Sequence, residues 1–174
     1  VGLDAVTFTI AGEPDVVIAG QDGKVYIFRA DGTALPGWPR ATAGIVVASV
    51  ALGDIDDDGV VEVICGSKDG KVYAWNEDGS AVSGWPVTLD GTAIWMSPAV
   101  ADCDADYVPE VIIGGYGGSL YALEGDGRVL PGWPIRFGWG CGSGSPAIAD
   151  FDGDGAPEIT VSGLFSNSIY LVGT

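Results

Sequence analysis

One nine-residue pattern constrains this chain more than any other feature. It reads DIDDDGVVE at residues 54–62, DCDADYVPE at 102–110 and DFDGDGAPE at 150–158, each copy 48 residues after the one before. A fixed period of that size means an array of like units, each burying its apolar surface against its neighbours. Every copy sets carboxylates at positions 1, 3, 5 and 9 and then enters an apolar run. A single acidic turn is ordinarily a solvated stretch of charge. Three in register, each with its ninth-position Glu, call for a common chemistry.

That chemistry is oxygen coordination. Aspartates separated by single residues converge on one point when the backbone between them curls, and a Gly at position 6 supplies the sharp turn. The carbonyl at position 7 and the Glu at position 9 then complete a cage. Hard oxygen donors without His or Cys select Ca²⁺ over zinc or copper, and Mg²⁺ keeps too many waters for an all-protein cage. Without a cation, four carboxylates packed so closely repel one another. An EF-hand shares the opening but needs a Glu at position 12 and a helix after it. Here position 12 is Cys65, Ile113 or Val161, inside a β-branched, Gly-bounded run that reads as a strand.

The unit around each loop has four parts. A small-residue strand such as 97–102 or 145–150 leads into the loop, and a second strand follows at 62–65 or 110–114. A glycine turn feeds a third, alternating strand at 23–28, 70–75 and 117–123. Asp-Gly turns at 31–32, 78–79 and 126–127 then precede a fourth segment holding Gly-Trp-Pro at 37–39, 84–86 and 132–134. Asp-Gly between alternating runs signals a hairpin. Four short antiparallel strands in about 40–50 residues describe a propeller blade. The expected fold is all-β, a propeller-like array of about four repeats (1–48, 49–96, 97–144, 145–174) in one domain, the last blade incomplete. In the first repeat Thr7, Thr9 and Ala11 stand where the Asp ligands belong, so no ion is expected there. A four-bladed ring would require residues 1–8 to serve twice, so the expectation is an open arc. It closes with another chain, or with the remainder of a larger propeller.

Composition narrows the partners. The chain has 24 acidic and 7 basic residues, no His and a net charge of −17, and twelve of the acids stand at the ligand positions of the three loops. That balance disfavours nucleic acid, which is bound through Lys and Arg, and equally anionic membrane surfaces, so neither is expected as a partner. Glycine is abundant (29) while apolar residues make up 47%, the pattern of many short strands with tight turns and not of disorder. The longest nearly apolar run, 44–52, is far short of the ~20 residues that cross a bilayer, so no membrane insertion is expected. Nothing at Val1 reads as a secretion signal, and the lack of an initiating Met points to a mature or excised chain. Cys65, Cys103 and Cys141 have neither disulfide nor metal spacing and read as small buried side chains.

At the loops, the Gly-rich turns and their spacing, nearly the whole chain resembles the FG-GAP/VCBS repeat family, the calcium-binding blades of integrin alpha-like propellers and of many bacterial secreted proteins. The resemblance implies three ion sites. Their ligands fall on Asp54, Asp56, Asp58, Val60 and Glu62; on Asp102, Asp104, Asp106, Val108 and Glu110; and on Asp150, Asp152, Asp154, Ala156 and Glu158. The literal Gly-Ala-Pro signature occurs only at 155–157. Tyr107 replaces Gly at position 6 of the second loop, and a positive φ there costs about 1–2 kcal/mol. The Asp102 site is therefore expected to be the weakest. The resemblance also puts any ligand face opposite the loops, on the turns between second and third strands and on the links between blades.

Aromatic and cationic residues outside the repeat pattern mark that face: Trp95, Tyr116, Arg136, Trp139 and Phe165. They would suit a sugar ring or a protein side chain, or else fill gaps between blades. Trp38, Trp85 and Trp133 recur in every unit and read as packing; Asp57 reads as solvated. The leading expectation is a non-catalytic, calcium-stabilised extracellular module for adhesion or binding of a protein or carbohydrate. The alternatives are the propeller scaffold of a secreted polysaccharide-degrading enzyme and a self-associating surface or filament subunit. Without His there is no Ser-His-Asp or Cys-His site, and the paired carboxylates are already spent on the cages, leaving no glycosidase pair.

Overall fold

Short alternating runs bounded by glycine turns can bury themselves only as stacked antiparallel sheets, and that is what the chain builds. The computed structural model describes residues 5–10, 13–138, 140, 144–163 and 168–173, with side chains from Asp15 onward. The first sheet runs β1 (Ala5–Ile10), β2 (Glu13–Gly20), β3 (Lys24–Arg29), β4 (Arg40–Ala41). The second runs β5 (Ala51–Gly53), β6 (Glu62–Gly66), β7 (Lys71–Trp75), β8 (Val87–Thr88). The third runs β9 (Ala99–Ala101), β10 (Glu110–Gly114), β11 (Ser119–Leu123), β12 (Ile135–Arg136), and the fourth holds β13 (Ala147–Ala149), β14 (Glu158–Ser162) and β15 (Ile169–Gly173). Each sheet is an antiparallel meander in chain order, and no described residue lies in a helix. This is an all-β partial propeller whose last blade has three strands, as the repeat pattern predicts.

The blades stack face to face. The first strands lie side by side, β5 against β9 and β9 against β13. Between blades one and two, Val17, Val25 and Ile27 meet Val63, Cys65, Tyr73 and Trp75. Between two and three, Ile64, Val72 and Ala74 meet Val111, Ile113, Tyr121 and Leu123. Between three and four, Ile112, Leu120 and Ala122 meet Ile159, Val161, Tyr170 and Val172. Successive residues of a strand face opposite sides, so a blade with neighbours on both sides is apolar at nearly every position. β7 and β11 are buried along their lengths, whereas β3 and β15 alternate.

The Gly-Trp-Pro segments fall in the connection before each fourth strand. In the first two of them the indole reaches into the next blade: Trp38 Nε1 donates to the Glu77 carbonyl and Trp85 Nε1 to the Gly125 carbonyl, both at 2.8 Å. The glycine is required by proximity. A Cβ at Gly37 or Gly84 would sit 2.0 or 1.9 Å from the carbonyl oxygen of Asp78 or Asp126 in the neighbouring Asp-Gly turn. At Gly132 it would meet nothing within 4 Å.

Candidate metal centre

Each acidic loop joins the first and second strands of its blade and is pinned by its own side chains. In the first loop Asp54 accepts the N–H groups of Asp58 (3.1 Å) and Gly59 (2.9 Å), and Asp58 accepts that of Val60 (2.8 Å). In the second, Asp102 accepts from Ala105 (2.7 Å) and Tyr107 (3.0 Å), and Asp106 from Val108 (2.8 Å). In the third, Asp150 accepts from Gly153 (2.6 Å) and Gly155 (3.0 Å), and Asp154 from Ala156 (2.9 Å). The curled backbone carries positive φ at position 6: 84° at Gly59, 74° at Tyr107 and 95° at Gly155. Position 4 has it too, at Asp57 (57°), Ala105 (65°) and Gly153 (82°). The sequence reading missed this second special position, for which the only signal was Gly153 itself.

The ninth-position Glu enters from the second strand. Its Oε2 accepts the N–H of position 2 in every loop: Ile55 at 2.9 Å, Cys103 at 2.7 Å, Phe151 at 2.7 Å. Glu62 and Glu110 are fully buried, and the Oε1 of each has no hydrogen-bond partner. A buried carboxylate oxygen left unpaired is costly unless a cation takes it. Burial pushes the Glu62 carboxyl up to about 7 against the Ile55 hydrogen bond, and the charges of Asp56, Asp58 and Asp54 push the same way. Glu110 is likewise raised to about 7, by burial first and then by Asp104, Glu124 and Asp106 against the Cys103 bond.

Carboxylate oxygens converge in each loop. One oxygen from each of Asp54, Asp56 and Asp58 lies within 4.8 Å of the others, as do those of Asp102, Asp104 and Glu110, and of Asp150, Asp152 and Glu158. The donor set is all oxygen and matches a hard divalent cation. The second and third loops face each other across a cleft of about 420 Å³ lined by Asp102, Asp104, Asp154 and Pro157. Glu124, which the sequence reading did not single out, sits close enough to the second loop to feel Asp104 and Asp106.

The first repeat departs from this plan. Thr7 and Thr9, expected at loop positions, lie inside β1 opposite Val16 and Pro14, and pairing runs on to Ile10 and Glu13. Only two residues separate β1 from β2, too few for a cage; Ala11 and Gly12 lie outside the described residues. Asp15 takes the place of Glu62, buried and with Oδ1 unpartnered.

On the candidate ligand face, the structure brings together two of the five residues read from sequence. Trp95 and Tyr116 are exposed, their ring centroids 6.4 Å apart at 39°, and Lys68 Nζ stands 3.6 Å over the Trp95 ring. Arg136 is exposed on β12, opposite Ser119. Trp139 and Phe165 lie outside the described residues, as does Cys141. Cys65 and Cys103 are buried free thiols.

Comparison with known proteins supports this architecture. No curated protein matches the sequence. Among solved structures, the computationally designed Ika4 protein superposes with a TM-score of 0.66 at 17% identity, over 99% of this chain and 94% of that one. BBS1N, solved in complex with ARL6DN, gives 0.65 at 15% identity, over 98% of this chain and 50% of that one. BamB from Moraxella catarrhalis gives 0.56 at 20% identity, over 90% and 45%. The chain thus spans about half the length of those two natural proteins. The family model of the lambda-carrageenase beta-propeller domain matches residues 15–134, well over half of the sequence. Blades, loops and this match together place the chain in the lambda-carrageenase β-propeller domain family.

Proposed function

We propose that the chain is a non-catalytic, calcium-stabilised propeller module of an extracellular protein that works on or binds polysaccharide. The observation that carries the calcium reading is the unpaired, fully buried Oε1 of Glu62 and Glu110 beside converging aspartates. A bound Ca²⁺ supplies the missing positive partner and ties the second strand of each blade to its loop. The residues themselves do the rest: the position-1 Asp fixes the turn and the position-9 Glu spans loop and strand. On this reading the loops act as FG-GAP/VCBS-type sites, with Asp102 the weakest of three. Extracellular calcium is concentrated enough to fill weak sites of this kind, and the carrageenase kinship favours a secreted context and the role of scaffold in a polysaccharide-degrading protein.

The Trp95–Tyr116 pair with Lys68 supports a carbohydrate contact on the same module. Aromatic faces stack on sugar rings, and the cation above one of them suits an anionic substituent. Titration calorimetry with Ca²⁺ followed by native mass measurement is the decisive experiment. Three bound ions per chain are expected, and no binding at millimolar Ca²⁺ ends the reading. Retardation of the chain in gels cast with carrageenan or other galactans, abolished in Trp95→Ala, tests the sugar contact separately.

A further inference from the structure

Where the second and third blades meet, three surface side chains stand together. Lys68 lies in the turn between β6 and β7, Trp95 in the link between the blades, and Tyr116 in the turn between β10 and β11. The backbone under them is fixed from both sides. The Ile94 N–H donates to the Ser67 carbonyl at 3.2 Å, and the Tyr116 N–H donates to the Ala93 carbonyl at 3.0 Å. Link and turn approach so closely that a Cβ at Gly66 would sit 2.3 Å from Ile94 Cγ2.

The seam between the first and second blades uses the same backbone with different side chains. There Lys68 takes the place of Tyr116, its own N–H donating to the Ile45 carbonyl at 3.0 Å. By the same register Val47 stands where Trp95 does, and Gln21 where Lys68 does. The seam therefore needs neither an aromatic ring nor a cation at these positions. With Trp95 38% and Tyr116 45% exposed, packing does not account for them.

Lys68 also has no carboxylate to pair with. Both carboxylate oxygens of its neighbour Asp69 are engaged, one by the Tyr73 hydroxyl at 2.6 Å and one by the Lys71 N–H at 3.0 Å. Among the described residues the ion pair within reach is that of Arg128 and Asp126. In a chain of net charge −17, the Lys68 ammonium instead stands 3.6 Å over the Trp95 ring. It covers the ring face on which a sugar would stack.

Resting on the reading of Trp95 and Tyr116 as a sugar contact, we propose that Lys68 is a lid on that site and sets its selectivity. A neutral sugar must push the ammonium off the ring and forfeit the cation–π contact. A sugar bearing sulfate or carboxylate draws the ammonium into an ion pair and takes the ring face that it leaves. Closure against the wrong ligand then works beside attraction of the right one. The ligand class is an acidic glycan, and the discrimination resides in one side chain.

The test is calorimetric titration of the full chain, in calcium, with carrageenan oligosaccharides and with the same oligosaccharides after desulfation. The wild type should prefer the sulfated form by about tenfold, the combined worth of an ion pair gained and a ring contact not lost. Lys68→Ala should erase that preference from both sides, binding the desulfated sugar several-fold more tightly and the sulfated one more weakly. Lys68→Arg should restore it. Hyaluronan fragments, which carry carboxylate only, tell the two anions apart, and preference for either anion over the desulfated sugar supports the lid. By NMR, the Lys68 methylene protons, shifted upfield by the ring beneath them, should return to ordinary positions when the sulfated sugar binds. If Lys68→Ala weakens the sulfated sugar without improving the desulfated one, or if those protons stay shifted in the complex, the lysine is a simple counter-charge and the lid is overturned. If both sugars bind the wild type equally and Lys68→Ala changes neither, the lid falls while the sugar contact stands. If no sugar binds either protein, the sugar contact itself fails and takes the lid with it.

Discussion

The loops at 54–62 and 102–110 differ at the position where one would expect them to differ least. Both are nine residues long, both close with a fully buried Glu, and both hold position 6 through a carboxylate of position 1. Yet position 6 is Gly59 in one and Tyr107 in the other, at φ of 84° and 74°. The aspartate dictates the backbone and the residue at position 6 complies. The Tyr107 side chain is 91% exposed, so it gains little from packing to offset the strain. The second loop also has Glu124 near it, where the corresponding residue of the second blade is the neutral Asn76. Two loops of one design thus differ in backbone strain and in local charge, and each difference can be removed separately.

Calcium removal should erase the comparison altogether and is the largest effect. An ion present at a hundred times its Kd adds about 2.7 kcal/mol. With about 2–4 °C per kcal/mol for a chain of this size, three such ions are worth a shift on the order of 15–30 °C. Calorimetric melts with Ca²⁺ and with a chelator should show it, and identical melts would remove the basis for treating these loops as cages.

Next in size is Glu62→Gln. With calcium present it takes a charged ligand from the first cage, and a loss of about 2–3 kcal/mol, the worth of one ion, is expected in denaturant unfolding. In chelator the same change should stabilise, because a buried carboxylate with an unpaired oxygen is gone. Glu110→Gln should repeat the reversal of sign; a loss of equal size in both conditions would make the Glu a purely structural hydrogen-bond acceptor.

Acidity gives a third handle. In the metal-free fold Glu62 and Glu110 titrate near 7, against an ordinary 4.5. Between those values the folded chain holds protons that the unfolded chain has released, so unfolding releases protons and stability falls as pH rises. The contribution is full below about 4.5 and gone above about 7. In chelator, then, the chain should melt higher at pH 5 than at pH 7.5, and the double Gln variant should flatten that slope.

Smaller again are the backbone tests. Tyr107→Gly should stabilise by about 1 kcal/mol and tighten the Asp102 site several-fold, by releasing a positive-φ penalty. Gly59→Ala should cost the first loop about as much, and cleanly, because a Cβ there meets nothing within 4 Å. Site-resolved Ca²⁺ titration by NMR would read both, and an Asp102 site already tighter than the Asp54 site would reverse the ranking. Last, Glu124→Asn should weaken the second site alone, by a few-fold and less at high salt, as a screened charge does.

Much of this was legible in the sequence. The second strand at 110–114 has the bounds that its pattern predicts, and the position-6 φ follows from a carboxylate loop that must curl. The rest depended on what lies across from a residue. Gly-Lys-Val-Tyr occurs identically at 23–26 and 70–73, yet Tyr73 is buried and Tyr26 half-open, because among the described residues only Tyr73 has a blade packed over it. No local pattern encodes that. The first repeat misled for a related reason: its spacing from the next unit suggested a degenerate loop, but strand pairing through Ile10 and Glu13 satisfies the backbone with a two-residue connection instead. Of the proposed ligand face, Trp95 and Tyr116 were found by their departure from the repeat. Lys68 was missed because it lies within an otherwise regular turn.

The indole bonds from Trp38 and Trp85 into the following blade give each of those seams its own emitter. Parting the first seam wets one ring and parting the second wets another, and a wetted indole glows at longer wavelength. With the remaining tryptophans changed to Phe in turn, the order in which the arc comes undone can be watched colour by colour, without attaching a dye.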